Sequence, residues 1–238
     1  MEPSKFYKLN DLLKDYIPSN HSKQVNLDTI TDTLFEGKHK IENVLDLGCG
    51  GGDSVDYFRK KSKVIKWAGL DIEVSPEVDA RKRTDCEFIT YDGINIPFAD
   101  NHFDIIYTRQ AFEHVRYPLE LLKEVHRVLK PGGYFLGSTS QLEPYHAFSL
   151  WNYTPYGFSL IIDEAGLSIE EIRPGIDSLT LIIRRGLGRP RFFARWWEKE
   201  SPLNKIISIF GKLAGKNHFW INSMKLIFCG QFCFIVRK

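Results

Sequence analysis

Leu45–Ser54, LDLGCGGGDS, crowds four glycines and a cysteine between the acids Asp46 and Asp53. Such a bare backbone, set between an apolar run and a helical stretch, can close a tight turn. It can also bring main-chain N–H groups up to a bound nucleotide. Spacing separates two nucleotide chemistries. A dinucleotide turn requires G-x-G-x-x-G. Gly48 and Gly50 fill the first two places, but the third is Asp53, whose charge would repel a diphosphate. Asp71, 23 residues after Gly48, ends the next apolar run. An acid there accepts both ribose hydroxyls and rejects a 2′-phosphate. Asp46 and Asp53 together suit a nucleoside that carries an ammonium and a sulfonium, which is the chemistry of S-adenosylmethionine.

The hydrophobic pattern supplies the elements that would position these groups. NVLDL reads as a buried strand, followed by the glycine turn and by DSVDYFRKK as a helix. VIKWAGLD is a second strand ending in Asp71, SPEVDARKR a short helix and EFITYD a third strand. FDIIYT is a fourth, nearly all apolar, as where both faces of a sheet are covered. Pro118 suits a first helical turn, and Leu121, Leu122, Val125, Val128 and Leu129 form one stripe before KPGG stops the helix. YFLGSTS is strand five. Thr154 and Pro155 open a helix with Phe158, Ile161, Ile162 and Ala165 on one face and Gly166 as its stop. LSIEEIRP and QFCFIVRK are the last two strands, and residues 4–36 read as two short amphipathic helices divided by Pro18. The expected fold class is α/β: a doubly wound, mostly parallel seven-stranded sheet with a basic helical insert before the last strand. One domain is expected. Its parts are N-terminal helices (1–40), a cofactor core (41–140), an acceptor-side region (141–180), the insert (181–226) and a last strand (227–238).

Four segments now stand together: VLDLGCGGGDS, GLDIE, YDGINIPFADNHFDIIYTRQAFEHV and LLKEVHRVLKPGGYF. Across Val44 to Phe135 they resemble, in order, the motifs of class I S-adenosylmethionine-dependent methyltransferases. The subgroup they are most similar to contains the ubiquinone and menaquinone biosynthesis enzymes. The resemblance implies that Asp46, Gly48, Gly50 and Gly52 hold the methionine part of S-adenosyl-L-methionine, with Cys49 also among the cofactor-binding residues and S-adenosyl-L-homocysteine as product. It implies Asp71 on the ribose, Ile72 on the adenine face, Asp92 on the adenine amino group and Gly93 and Ile94 alongside. Thr108 and Arg109 would sit near the reacting methyl. In the family the loop after strand five carries acceptor-side residues, which makes His146 a candidate general base or else a packing histidine. His114 is a second catalytic candidate. Some relatives bind a divalent metal through E-x-x-E-H at this place; here the first acid is Gln110, so no metal is expected, and Glu113 and His114 are read as pocket wall or helix cap.

Pro144–Phe158 packs His146, Trp151, Asn152, Tyr153 and Tyr156 into one stretch, suited to a sugar ring or planar acceptor, or else to a lid over the sheet edge. The net charge of +2 conceals a division. Residues 181–238 hold 12 Lys and Arg against Glu198 and Glu200, while residues 1–180 hold 20 basic and 28 acidic side chains. Within the basic part, a helix begun at Pro190 would align Phe192, Phe193, Trp196 and Trp197, and a second, capped by Ser201, would align Ile206, Ile209, Phe210 and Leu213. Three readings of 184–216 follow: packing on the sheet or a second subunit, peripheral contact with an anionic membrane, or binding of acceptor phosphates. Nucleic acid is disfavoured by the acidic remainder. Cys49, Cys86, Cys229 and Cys233 form no metal spacing and are read as reduced thiols in or near the core. No apolar run spans a bilayer and the N-terminus lacks a signal-peptide core, so the expected location is cytoplasmic, with 184–216 as the one membrane-facing candidate. The expected activity is methyl transfer to a small or lipid-linked acceptor, first a sugar hydroxyl. The alternatives are a quinone-like phenol and a non-catalytic cofactor-binding subunit.

Overall fold

The computed structural model describes residues 9–37 and 40–238. At its centre β1 (Asn43–Leu47) pairs in parallel with β2 (Lys66–Ile72) on one side and β4 (Phe103–Arg109) on the other. β3 (Glu87–Tyr91) extends the sheet beyond β2, and β5 (Leu129–Ser140) beyond β4, again in parallel. β6 (Ser168–Pro174) forms the far edge. β7 (Gln231–Arg237) runs antiparallel between β5 and β6, giving the order β3-β2-β1-β4-β5-β7-β6. The sheet is therefore mixed, and the reversal has a simple cause. β6 delivers the chain to the carboxyl edge, the insert stays there, and β7 can only run back from it.

Successive β1 side chains point to opposite faces. Val44 joins Ile105, Tyr107 and Leu136 beneath α2 (Leu27–Glu36) and α3 (Ser54–Lys61), which contribute Ile30, Leu34, Val55 and Phe58. Leu45 and Leu47 join Phe135 and Phe234 beneath α5 (Pro118–Val128) and α6 (Pro155–Glu164), which contribute Leu121, Val125, Phe158 and Ile162. α5 carries Pro118 in its first turn, and Thr154 caps α6 by accepting the Gly157 N–H at 3.0 Å. α4 (Pro76–Asp79) is a single turn capped by Ser75. Cys49, Cys229 and Cys233 are buried and Cys86 half-buried, all free thiols.

Two expectations change. Of the N-terminal segment, residues 4–8 lie outside the described residues. The rest holds only α1 (Leu9–Leu12) before α2, with turns and extended chain between them. That stretch is committed elsewhere. Tyr16 O accepts the Ile172 N–H at 2.8 Å and the Val25 N–H donates to Pro174 O at 3.2 Å, so it lies along β6 and covers the sheet edge. The insert is also divided differently. It runs through α7 (Ser178–Gly186), a 3-10 turn at Arg191–Ala194, α8 (Arg195–Glu198), α9 (Pro202–Leu213) and α10 (His218–Ile227). The four aromatics share no face: Phe193 is buried, Phe192 exposed, and Trp196 and Trp197 half-buried. Gln24 and Asn26 side chains donate to the carbonyls of Trp196 and Trp197 at 2.7 and 3.3 Å and break the longer helix. Ser201 makes no capping bond. Its hydroxyl donates to Gln24, while Asp177 accepts the first-turn N–H groups of both α7 (Thr180, 2.7 Å) and α9 (Leu203, 3.2 Å).

Gly137 of β5 faces the seam with β7. An added Cβ there would overlap the Phe234 ring and stand 2.7 Å from Thr108 Cγ2. Gly137→Ala is expected to destabilise the protein by about 1–3 kcal/mol, since a packed core gives way only through strain. Chemical unfolding followed by circular dichroism measures this, and an unchanged midpoint would show that Phe234 moves freely.

Candidate active site at the carboxyl edge of the sheet

The chain leaves β1 through Gly48, Gly50 and Gly52 at φ of 74°, 48° and 81°, then enters α3. Gly48 has a second constraint, because a Cβ there would overlap that of Ala111. Asp71, at the end of β2, folds back on the turn. Its Oδ2 accepts the Gly50 N–H at 2.7 Å and its Oδ1 the Ile72 N–H at 2.8 Å, and burial raises its pKa. Asp46 is 4% exposed and accepts the Ser54 hydroxyl, which in turn accepts the Trp67 Nε1–H at 2.9 Å. Burial pushes the Asp46 carboxyl up to about 7. Cys49 is buried against the same turn, and burial raises its thiol pKa. Asp53 is exposed at the start of α3 and makes no capping bond.

Further along the same edge, Asp92 accepts the N–H groups of Ile94 and Asn95 at 2.9 and 2.7 Å, with Gly93 at φ 89° and Ile72 exposed beside them. Thr108 is buried and donates to Leu47 O at 2.9 Å, tying β4 to β1. The topology thus collects Asp46, Cys49, Asp71, Ile72, Asp92, Gly93, Ile94, Thr108 and Arg109 at one end of β3-β2-β1-β4. Ligands of doubly wound sheets lie at this crevice. A nucleoside with an ammonium group fits two carboxylates around a glycine turn; a diphosphate does not. Sequence reasoning missed Arg81, which donates to Gly50 O at 2.8 Å and lies 3.9 Å over the Phe88 ring.

Where β4 and β5 end and β7 begins, Arg109, Ser138 and Gln231 border a cavity of about 300 Å³. Val25, Leu27, Ile176, Ala194 and Trp197 give it apolar walls, and its polar groups include Asn26, Asp28, Arg109, Gln110, Glu198 and Gln231. Arg109 bonds to Asp28 and to the Tyr107 hydroxyl through Nε and Nη2, so among the described residues Nη1 has no partner. Trp197 is fixed by its Nε1–H, which donates to Gln231 Oε1 at 3.0 Å. Cys233 also lines the cavity, and burial pushes its thiol up to about 12, so it is neutral there.

His114 and His146 do not line this cavity. Their rings lie edge to face with centroids 5.4 Å apart. His146 Nε2 is 3.7 Å from Glu113 Oε1, and its Nδ1 is 3.7 Å from Glu143 Oε1. The Glu113 carboxylate lifts the imidazole pKa above its usual value despite burial. Glu113 is fully buried and accepts the hydroxyls of Thr139 and Ser140 at 3.1 and 3.2 Å; it caps no helix. His114 Nδ1 is buried without a partner among the described residues. Donor atoms of Glu113, His114 and His146 lie within 4.8 Å of one another, a grouping able to share a proton or hold a cation. Glu143 was missed, although its place three residues before His146 was a readable signal. The polar tips of Trp151, Asn152 and Tyr153 bond to the main-chain oxygens of Val115, Glu143 and Phe112, which fold the loop itself and leave fewer groups for a sugar.

The family described as methyltransferase domain matches residues 45–137. A fatty-acid O-methyltransferase of Mycolicibacterium smegmatis is 26% identical over 200 residues, covering 79% of this chain and 71% of that protein. A ubiquinone/menaquinone biosynthesis C-methyltransferase of Roseobacter denitrificans is 30% identical over 127 residues, 44% of this chain and 51% of that protein. The chain thus spans about half the length of the second relative. Among solved structures, a SAM-dependent methyltransferase from Aquifex aeolicus shares the fold with a TM-score of 0.50, at 22% identity over 71% of this chain and 93% of that one.

Proposed function

We propose that this chain, which is a class I S-adenosylmethionine-dependent methyltransferase, methylates an oxygen of a lipid-like acceptor, best an ionised long-chain carboxylate. The observation that carries this reading is the cavity: apolar walls, the Arg109 cation with an unused edge, and no imidazole on its lining. The relative that acts on fatty acids points the same way. When bound, S-adenosylmethionine supplies a methyl carbon already activated by its sulfonium. The chain then has to place the acceptor in line with that carbon and exclude water, and alignment alone supplies a large part of such catalysis. Asp46 and the glycine turn orient the methionine end, Asp71 the ribose and Asp92 the adenine. Arg109 Nη1 holds the acceptor carboxylate, and Leu27, Ile176 and Trp197 take the start of its chain. A carboxylate needs no base.

A second reading rests on the His146–Glu113 pair. For a hydroxyl acceptor, a sugar or a quinone-like phenol, His146 takes the proton, Glu113 steadies the imidazolium and His114 lies against it. The two readings separate in one experiment, methyl transfer to a long-chain acid and to the matching alcohol, glycolipid and quinol. With the acid and saturating cofactor, kcat is expected to be flat above the acid's own ionisation, His146→Ala to change kcat by less than about threefold, and Arg109→Gln to cost about 10–10²-fold in kcat/KM. If only a hydroxyl acceptor is methylated, with a rate that rises through the raised His146 pKa and is lost in His146→Ala, the carboxylate reading falls.

A further inference from the structure

α7 and α9 start from one knot, the Asp177 side chain, and pack against each other. Each turns an apolar stripe to solvent. On α7 it is Leu179, Ile182 and Ile183, 45–52% exposed at i, i+3 and i+4. On α9 it is Ile206, Ile209, Phe210 and Leu213, 48–80% exposed at i, i+3, i+4 and i+7. Single exposed apolar residues are ordinary, but two neighbouring helices with continuous stripes call for an occupant. Charge selects it. Residues 178–216 carry nine Lys and Arg against Glu198 and Glu200, and Glu200 is engaged by the buried Lys225. Arg189, Arg191, Lys205, Lys212 and Lys216 are exposed around the stripes, whereas the rest of the chain is acidic.

We propose that the α7–α9 face docks on an anionic phospholipid surface, the stripes entering the boundary between headgroups and acyl chains and the lysines and arginines contacting lipid phosphates. No helix among the described residues is long and apolar enough to cross a membrane, so the contact is peripheral. The acidic remainder is repelled by the same surface, which sets the orientation. Ala194 and Trp197, in the segment that joins α7 to α9, line the cavity, so the chain that carries the docking face also supplies part of the cavity wall.

The test is flotation of the full chain with vesicles of phosphatidylcholine alone or mixed with phosphatidylglycerol, without cofactor or acceptor. Failure here therefore leaves the acceptor reading standing, and failure there leaves this one. Recovery is expected to be about tenfold or more higher with the anionic vesicles and to fall at high salt. Phe210→Glu/Leu213→Glu, at positions too exposed to be needed for folding, is expected to abolish it while the circular dichroism spectrum stays unchanged. Lys212→Gln/Lys216→Gln is expected to weaken it. Equal recovery with both vesicle types, or flotation unaffected by Phe210→Glu/Leu213→Glu, overturns the proposal. So does a dimer, seen by sedimentation, that the same double variant dissolves, because the face would then belong to a second copy.

Discussion

Asp71→Ala is expected to weaken binding of S-adenosylmethionine and of S-adenosylhomocysteine by about 10²-fold or more. Two ribose hydroxyls donating to one carboxylate are charge-assisted bonds worth about 1.5–3 kcal/mol each. The same substitution also releases the Gly50 N–H, which Asp71 Oδ2 holds at 2.7 Å, so the glycine turn loosens as well. Asp71→Asn separates these effects. It keeps the bulk and one acceptor for the turn but removes the charge, and about a tenfold loss is expected. Titration calorimetry with methylthioadenosine, which keeps the ribose and lacks the amino-acid end, completes the set. Asp71→Ala should weaken that ligand as strongly as the full cofactor. A dissociation constant within twofold of the parent protein's would remove Asp71 from the ribose.

Asp46→Asn is expected to move stability and binding in opposite directions. Burial holds the Asp46 carboxyl near pKa 7 in the folded chain, against about 3.9 when unfolded. Between those values the folded state keeps a proton that the unfolded state has lost. Stability therefore falls as pH rises from 4 to 7, by on the order of 4 kcal/mol, and does not recover above pH 7. Asparagine carries no charge at any pH and can still accept the Ser54 hydroxyl, so the variant is expected to melt higher than the parent at pH 8 and close to it at pH 4. Its affinity for S-adenosylmethionine should drop by about 10²-fold while methylthioadenosine, without an ammonium, binds as before. In the parent protein, cofactor affinity should climb with pH toward 7 as Asp46 ionises. Thermal scans at the two pH values and calorimetry with the two ligands check both halves. Equal melting at pH 8, together with unchanged cofactor binding, would mean that the Asp46 charge has no part in the site.

The strongest predictions concern the donor end because that end is local. Four glycines, Asp46 and the start of α3 fall within ten residues, and positive φ at Gly48, Gly50 and Gly52 is what glycine alone tolerates well. Asp71 was legible because a strand that ends in an acid presents it at the sheet's carboxyl edge. The helices with a capping residue and an unbroken apolar stripe, α5 and α6, were legible for the same reason: their signals lie within one or two turns of chain. Where distant partners compete, local pattern fails. Residues 13–17 read as part of a helix, but the Tyr16 carbonyl accepts the Ile172 N–H of β6 instead. The Phe192–Trp197 run reads as one too, but Gln24 and Asn26, more than 170 residues away in sequence, take its carbonyls.

The amino-acid sequence by itself determined the α/β class and the donor nucleotide, since each depends on contiguous hydrophobic period, turn chemistry and charge. Only the tertiary structure decided the direction of β7, the separation of His146 from the cavity, and the cavity itself. Its walls come from Leu27, Arg109, Ile176, Trp197 and Gln231, five segments joined by long-range hydrogen bonds and packing. No spacing in the chain encodes such a meeting, because it follows from where a folded sheet brings its loops.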